Sequence, residues 1–213
     1  MTEPYYRDDA VTLYHGDCLE ITEWLAADVL VTDPPYGTDN WGGYGRRQLG
    51  LMTISGDSDT AIRDAVLSSW GQRPAAVFAS PRGPQPPGGW SAHLVWDKQR
   101  PGLGSPWRWQ HENVFIRGAW RNVPGLPSVL RVTPDGDTRE THPHSKPLSL
   151  MSLLLGGAPL GIIADPFAGI GSTLVAAKQL GRRAIGVELE ERYCEVIARR
   201  LAQDVLDFGG EAS

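Results

Sequence analysis

Cysteine and long hydrophobic runs are both scarce in this 213-residue sequence. Its two cysteines, Cys18 and Cys194, are too few for a disulfide framework or a cysteine-based metal site. No apolar run is long enough to span a bilayer, and residues 1–9 are polar and acidic, unlike a signal peptide. These absences predict a cytoplasmic chain without a membrane partner, and its length predicts a single domain over residues 1–213.

An overall excess of basic residues is also missing, since the formal net charge is −5. A protein that coats DNA without regard to sequence is expected to be basic. The charge is unevenly distributed, however, because the stretch from Lys98 to Arg131 contains six basic residues and one acidic residue, Glu112. Local basicity therefore keeps nucleic-acid binding by that stretch among the expected functions.

The sequence contains the tetrapeptide Asp33-Pro34-Pro35-Tyr36 directly after the apolar run 28–32. Proline cannot donate to a sheet ladder, so the run predicts a buried strand that stops where ligand crevices form in parallel sheets. A carboxylate and a carbonyl there could draw the planar amino group of a nucleobase towards tetrahedral geometry, and a tyrosine could stack on a flipped base. Taken alone, the tetrapeptide fits a strand end with a packed tyrosine equally well.

A second predicted strand, residues 161–165, ends on Asp165 and is followed by a glycine loop, 166–173, and a helix over 172–180. Strand, glycine loop and helix form half of a Rossmann-type unit, in which glycines let the backbone approach a nucleoside. The loop lacks G-x-G-x-x-G and has no lysine after its last glycine, which disfavours a dinucleotide or a triphosphate. A third strand, 183–188, ends on Glu188, 23 positions after Asp165, and this spacing favours a carboxylate on ribose hydroxyls.

Three segments occur in the order 33–36 (Asp-Pro-Pro-Tyr), 142–147 (His-Pro-His-Ser-Lys-Pro) and 165–173. Together they resemble the S-adenosylmethionine-dependent DNA amino-methyltransferases, which make N6-methyladenine or N4-methylcytosine. The catalytic segment precedes the cofactor segment, as in the permuted β class of that family. The resemblance covers residues 11–201 and implies a three-layer, Rossmann-like α/β methyltransferase fold with a mostly parallel sheet, a circularly permuted motif order and S-adenosyl-L-methionine as cofactor.

The resemblance also implies roles for individual residues. Catalysis falls on the tetrapeptide, that is on Asp33, Pro34, Pro35 and Tyr36. Lys146 is expected near the methionine end of the cofactor, facing its carboxylate, although a surface lysine fits the sequence too. Asp17 is expected beside the adenine ring, or else as a helix cap. The full set expected to bind the cofactor is Asp17, Cys18, Asp33, Ser145, Lys146, Asp165, Phe167, Ala168, Gly169, Gly171, Ser172, Thr173 and Glu188.

Target recognition is expected in residues 100–141, interpreted as a short insertion within the domain. Five of the eight tryptophans fall between Trp90 and Trp120, with arginines among them. Guanidinium groups can neutralise phosphates and indoles can stack on bases, although core packing is the usual role of a tryptophan. The glycine-rich stretch 37–57 is a candidate lid. The residues expected to contact double-stranded DNA are Arg46, Arg47, Lys98, Arg100, Arg108, Arg117 and Arg121.

These features predict an enzyme that methylates adenine N6 in DNA. Adenine N6 is preferred over cytosine N4, the first alternative, because aspartate opens the tetrapeptide here and serine is commoner at that position in the N4 enzymes. Neither cysteine follows a proline, which disfavours cytosine C5 methylation, and the histidines His142 and His144 lack further ligands, so no metal is expected. RNA, a protein glutamine, or a non-catalytic DNA-binding role are further alternatives. The sequence leaves open a restriction-modification role and the choice between monomer and homodimer.

Overall fold

A computed structural model describes residues 2–37, 59–101, 107–120, 127–134 and 145–203. These residues contain nine strands and four α-helices. The strands are β1 (Tyr6–Arg7), β2 (Val11–His15), β3 (Val29–Thr32), β4 (Ala75–Ala79), β5 (Ala92–Asp97), β6 (His111–Arg117), β7 (Val129–Arg131), β8 (Ile163–Asp165) and β9 (Ala184–Glu188). The helices are α1 (Ala61–Trp70), α2 (Leu148–Gly157), α3 (Ser172–Gln179) and α4 (Glu191–Gln203), and a short 3₁₀-helix spans Glu23–Ala26. No helix in these ranges is long and apolar enough to cross a membrane.

All nine strands belong to one sheet, in the order β1-β2-β9-β8-β3-β4-β6-β5-β7. The run from β2 to β4 is parallel throughout, β6 is antiparallel to both of its neighbours, and β7 is parallel to β5. Only β1 and β6 therefore point against the other strands. The predicted mostly parallel sheet is confirmed, and its carboxyl ends lie along one edge, where ligands bind in open α/β sheets.

Helices cover both faces of the sheet, because the strands are apolar on both sides. On β3, the side chains of Val29 and Val31 point into one hydrophobic cluster, with α2, α3 and α4, while Leu30 points into the other, with the 3₁₀-helix and α1. In the second cluster the rings of Trp24 and Trp70 are stacked with centroids 5.9 Å apart. This arrangement confirms the predicted three-layer α/β architecture.

A tight turn follows β2 and leads into the short 3₁₀-helix Glu23–Ala26, because the Asp17 carbonyl accepts the Ile21 amide and the Cys18 carbonyl accepts the Trp24 indole. The segment 100–141 contains β6 and β7, which are integral strands of the sheet and pair with β4 and β5. Target recognition by the remaining residues of this segment stays a prediction.

Candidate active site

Three acidic residues follow or end neighbouring strands at the carboxyl edge of the sheet. Asp33 comes directly after β3, Asp165 ends β8 and Glu188 ends β9. Because β3 pairs with β8 and β8 pairs with β9, the three strand ends lie side by side. The Thr32 hydroxyl donates to Asp165 Oδ1 at 2.7 Å and so joins the tetrapeptide strand to the glycine loop, across 133 positions of sequence.

The two acids nearest the glycine loop fix its backbone. Asp165 Oδ1 accepts the amide of Phe167 at 3.2 Å, and Glu188 accepts the amides of Gly169 at 2.7 Å and Glu190 at 2.8 Å. Burial raises the pKa of Asp165 to about 6 and that of Glu188 to about 7. Both carboxyl groups therefore titrate far closer to neutral pH than exposed acids do.

Gly169 leaves open space on the outer side of this loop. Its φ is +55°, and a Cβ built there would meet no heavy atom within 4 Å. Gly171, by contrast, has a φ of +81° and lies against Ile197 of α4. The loop therefore presents a free backbone surface at Gly169, beside the buried carboxylate of Glu188, which is the arrangement that a nucleoside requires.

A second group of side chains surrounds Asp33. Lys146 Nζ donates to Asp33 Oδ2, lies 3.2 Å from Glu112 Oε2 and is 3.3 Å from the Tyr36 hydroxyl. The Tyr36 hydroxyl is in turn 2.5 Å from Asp33 Oδ1 and 3.0 Å from Glu112 Oε2. On the outer side, Lys98 Nζ lies 2.5 Å from Glu112 Oε1. The charges of the two carboxylates and the two ammonium groups thus balance. The name acceptor cluster is used below for these five residues, Asp33, Tyr36, Lys98, Glu112 and Lys146.

Lys146 is the most enclosed charge of the acceptor cluster. Its side chain is 6% exposed, and its ammonium lies 5.0 Å from the ring centroid of Phe78, 5.7 Å from that of Tyr36 and 5.9 Å from that of Trp96. Burial opposes the charged form, but the carboxylates of Asp33 and Glu112 raise the pKa of Lys146. Lys146 is therefore a cation held by carboxylates and aromatic ring faces.

The carboxylates of the cluster differ in their titration. Burial raises the pKa of Asp33, although Lys146 acts in the opposite direction. Burial would also raise the pKa of Glu112, but Lys146 and Lys98 together lower it to about 2. The Asp33 side chain remains 28% exposed, whereas that of Glu112 is 12% exposed. Asp33 is thus the carboxyl group of the cluster that an approaching ligand can reach.

Comparisons with known proteins identify the family. The family model for N6/N4 methyltransferases, described as DNA methylase, matches residues 69–199. The Escherichia coli K12 protein named "Putative methylase YubD" is 33% identical over 214 residues, which cover 88% of this chain and 88% of that protein. The chain belongs to the N6/N4 DNA methylase family. The family resemblance predicted from the three sequence segments is thereby confirmed.

Three further proteins are similar to this chain in sequence or in fold. The Type II methyltransferase M.HinfI of Haemophilus influenzae is 38% identical over 71 residues, 32% of the methylase and 20% of M.HinfI. Among solved structures, M1.HpyAVI in complex with SAM has a TM-score of 0.63 at 21% identity and covers 90% of this chain and 98% of its own. The cytosine-N4-specific PvuII DNA methyltransferase has a TM-score of 0.67 at 15% identity, covering 96% and 93%. These two structures share the fold of the methylase.

The residues predicted to bind the cofactor divide into two groups in the methylase. Asp17 and Cys18 follow β2, whose His15 pairs with Glu188, so both lie at the same sheet edge as the glycine loop. Asp17 Oδ1 accepts the Leu19 amide at 2.8 Å, and burial raises the pKa of Cys18 to about 12. Of the loop residues and the start of α3, Ala168, Ser172 and Thr173 are buried, while Phe167 and Gly169 keep partial exposure.

Lys146 lies among the side chains of the acceptor cluster. All three of its contacts within hydrogen-bonding distance are members of that cluster, so its ammonium faces Asp33. The expected place of Lys146 opposite the cofactor carboxylate stays a prediction. Glu112, which completes these contacts, was missed as a site residue. Its signal in the sequence was weak but present, since it is the one acid in a stretch with six basic residues.

The residues predicted to contact DNA lie in different parts of the chain. Lys98 and Arg100 follow β5, and Arg108 precedes β6, so these three occupy one loop at the active-site edge. The neighbours of Arg108 in this loop are exposed tryptophans, Trp107 at 75% and Trp109 at 40%. Arg46, Arg47 and Arg121 lie outside the described residues, as do residues 38–57 of the candidate lid and the histidines at 142 and 144.

Arg117 has to be withdrawn from the DNA-contacting set. It ends β6, which runs antiparallel, and it pairs with Ala75 at the amino edge of the sheet, opposite the active site. Its side chain is buried, donates to the Arg73 carbonyl at 3.2 Å and stacks over Trp90 at 4.8 Å. An arginine with these contacts packs against the core and cannot reach a phosphate.

Proposed function

We propose that the methylase transfers the methyl group of S-adenosyl-L-methionine to the exocyclic N6 of adenine in double-stranded DNA. The pairing of β3 with β8 carries this proposal, because it brings Asp33 of the acceptor tetrapeptide next to the glycine loop that starts at Asp165. When bound, the cofactor supplies a methyl group on a positively charged sulfur. Methyl donor and acceptor would then meet at one edge of one sheet.

The glycine loop supports the cofactor assignment. Each oxygen of Glu188 accepts one backbone amide and retains a lone pair for a ribose hydroxyl. The open side of Gly169 gives the nucleoside room to approach the backbone. Asp165, which is 2% exposed, orders the loop from below. The same pocket would include Asp17, Cys18, Ser145, Phe167, Ala168, Gly171, Ser172 and Thr173.

The acceptor cluster supports the assignment of an amino group as the acceptor. Asp33 can accept an N–H bond from the target amine, and Tyr36 offers its ring to a flipped base. Nitrogen that gains a methyl group must lose a proton, and a carboxylate whose pKa is raised by burial is a suitable base. Pro34 adds a carbonyl without a sheet partner, so the catalytic set is Asp33, Pro34, Pro35 and Tyr36.

The β5–β6 loop is the proposed contact with DNA. Lys98, Arg100 and Arg108 supply positive charge at the active-site edge, and the exposed indoles of Trp107 and Trp109 supply surfaces for stacking. Arg46, Arg47 and Arg121 stay in the proposed set from the sequence alone. Because M.HinfI is named a Type II methyltransferase, similarity to it supports a restriction-modification role, in the cytoplasm with the DNA.

Cytosine N4 is the second candidate acceptor. The PvuII enzyme, named cytosine-N4-specific, has a similar fold along nearly the whole chain. Adenine remains preferred because an aspartate opens the tetrapeptide. Both bases present an exocyclic amine beside a ring nitrogen, so the acceptor cluster would serve either in the same way.

Nucleoside mass spectrometry of DNA from methylation-deficient cells that express the methylase tests the function. We expect N6-methyladenine with the wild type and with Asp9→Ala, an exposed aspartate far from the site, and none with Asp33→Ala. Detection of N4-methylcytosine instead would show that cytosine N4, the second candidate, is the acceptor. If folded protein binds the cofactor in calorimetry but yields neither methylated base, DNA methylation is refuted and RNA or a protein glutamine becomes the favoured substrate. Failure to bind the cofactor would favour a non-catalytic DNA-binding protein.

A further inference from the structure

Lys146 is a fully engaged buried cation. Its ammonium has three N–H groups, and the carboxylates of Asp33 and Glu112 and the hydroxyl of Tyr36 lie around it. Three aromatic rings close the remaining sides. An ammonium with every proton engaged has little capacity to bind a substrate itself, but it fixes the positions of the groups around it.

Glu112 fixes Lys146 in turn. Its Oε2 contacts Lys146 and the Tyr36 hydroxyl, and its Oε1 contacts Lys98. Glu112 lies on β6, inside the sheet, whereas Tyr36 and Lys146 come from segments without regular secondary structure. The strand therefore provides a rigid anchor for two side chains that would otherwise depend on less regular backbone.

We propose that Glu112 and Lys146 are positioning residues of the acceptor site: Lys146, anchored by Glu112, holds the Asp33 carboxylate and the Tyr36 hydroxyl where the amino group of the target base meets them. This inference rests on the proposed methyl transfer to an exocyclic amine. It assigns Glu112 a role in the site and moves Lys146 from the cofactor to the acceptor.

The charges around Asp33 give the proposal a signature in the pH dependence. Lys146 faces Asp33 directly and stabilises its carboxylate. Glu112 and Asp165 act in the opposite direction, since both are negative, while Tyr36 donates to Asp33. Loss of the Lys146 charge should raise the pKa of Asp33, and loss of the Glu112 charge should lower it.

The test compares Lys146→Met, Glu112→Gln and the double variant. The pH profile of kcat is measured at saturating cofactor. Titration of Asp165 and Glu188 should change cofactor affinity, so it then leaves the kcat profile unaffected. We expect the acid limb to move up by about one pH unit or more in Lys146→Met, down in Glu112→Gln, and to an intermediate position in the double variant. In each variant kcat at the plateau should fall by about tenfold or more, with a cofactor Kd within about twofold of the wild type.

A readout without turnover separates this inference from the proposed function. Carbon-13 NMR of the Asp33 carboxyl, assigned with Asp33→Asn, should show the same shifts of the midpoint in cofactor-free protein. If the methylase modifies neither base, the NMR titration still decides whether Lys146 and Glu112 act on Asp33. Lys178→Met is the matched control, since Lys178 is 16% exposed and pairs with Asp8 at 2.6 Å; it should leave the acid limb unmoved.

Two outcomes would overturn the inference. Loss of cofactor binding in Lys146→Met, with the acid limb and the Asp33 titration unchanged, would return Lys146 to the cofactor. If Lys146→Met fails to fold, Glu112→Gln decides alone, because an unmoved or raised midpoint there contradicts the expected downward shift.

Discussion

Alanine substitution of two glycines in the cofactor loop should have different effects, mainly on stability at one position and on cofactor affinity at the other. Gly169 and Gly171 both have left-handed backbone, with φ of +55° and +81°, so alanine costs about 1 to 2 kcal/mol at either position. A Cβ at Gly169 meets no atom within 4 Å, whereas a Cβ at Gly171 would lie 2.9 Å and 3.0 Å from two γ-carbons of Ile197. Ile197 is fully buried, so α4 would have to shift to make room.

The contact at Gly171 sets the difference in stability. Overpacking of a core typically costs about 1 to 3 kcal/mol, so Gly171→Ala should lower the free energy of unfolding by about 2 to 5 kcal/mol in total. Gly169→Ala should lower it by only about 1 to 2 kcal/mol. Its methyl group, however, would project into the space proposed for the nucleoside, so we expect a loss of cofactor affinity of about tenfold or more.

Urea unfolding and calorimetry with S-adenosylmethionine measure the two effects separately. The m-values of the variants should match that of the wild type, so that differences in midpoint report stability. Equal stability of the two variants would refute the packing argument at Gly171. Wild-type cofactor affinity in Gly169→Ala would refute the assignment of the open space to the nucleoside.

Three further predictions concern the same sheet edge and the core beneath it. Burial raises the pKa of Glu188 to about 7, so the carboxylate forms as the pH rises through that value; cofactor affinity in calorimetry should increase from about pH 6 to about pH 8, and a flat profile would contradict the ribose assignment. Trp107→Ala and Trp109→Ala should each weaken DNA binding in fluorescence anisotropy by about 1 to 3 kcal/mol, with unchanged Tm because both side chains are exposed; a lowered Tm would mean that they are packed. Trp24→Ala should lower the free energy of unfolding by about 3 to 5 kcal/mol, since Trp24 is 1% exposed and stacks on Trp70; denaturant titration measures it, and a loss below about 1 kcal/mol would show that the stack contributes little.

Several parallel strands of the methylase could be predicted from the sequence because they are apolar runs without alternating polar residues. Strands covered by helices on both faces lose the alternation of polar and apolar residues, and β3, β4 and β8 have this composition. The acidic residue after such a run marks the carboxyl edge. Asp33, Asp165 and Glu188 could therefore be placed at one edge of the sheet from the order of residues alone.

The acceptor cluster could not be predicted in the same way. Its residues come from four separate parts of the chain, and Lys146 is 113 positions from Asp33. Strand β6 carries His111, Glu112, Asn113 and Arg117, so its composition does not indicate a buried strand. Only the register of β6 between β4 and β5 brings Glu112 to the active-site edge and carries Arg117 to the opposite edge.

The hydrogen bond between Thr32 and Asp165 explains why the order of the segments along the chain matters little for the geometry of the site. The positions of two neighbouring strand ends depend on the register between the strands, here Val29 with Ile163 and Leu30 with Ala164, and not on which strand comes first in the sequence. Thr32 directly precedes Asp33, and Asp165 opens the glycine loop, so one buried contact of 2.7 Å connects the acceptor segment to the cofactor segment. A chain whose acceptor strand precedes its cofactor strand can therefore present donor and acceptor to each other as closely as the opposite order would.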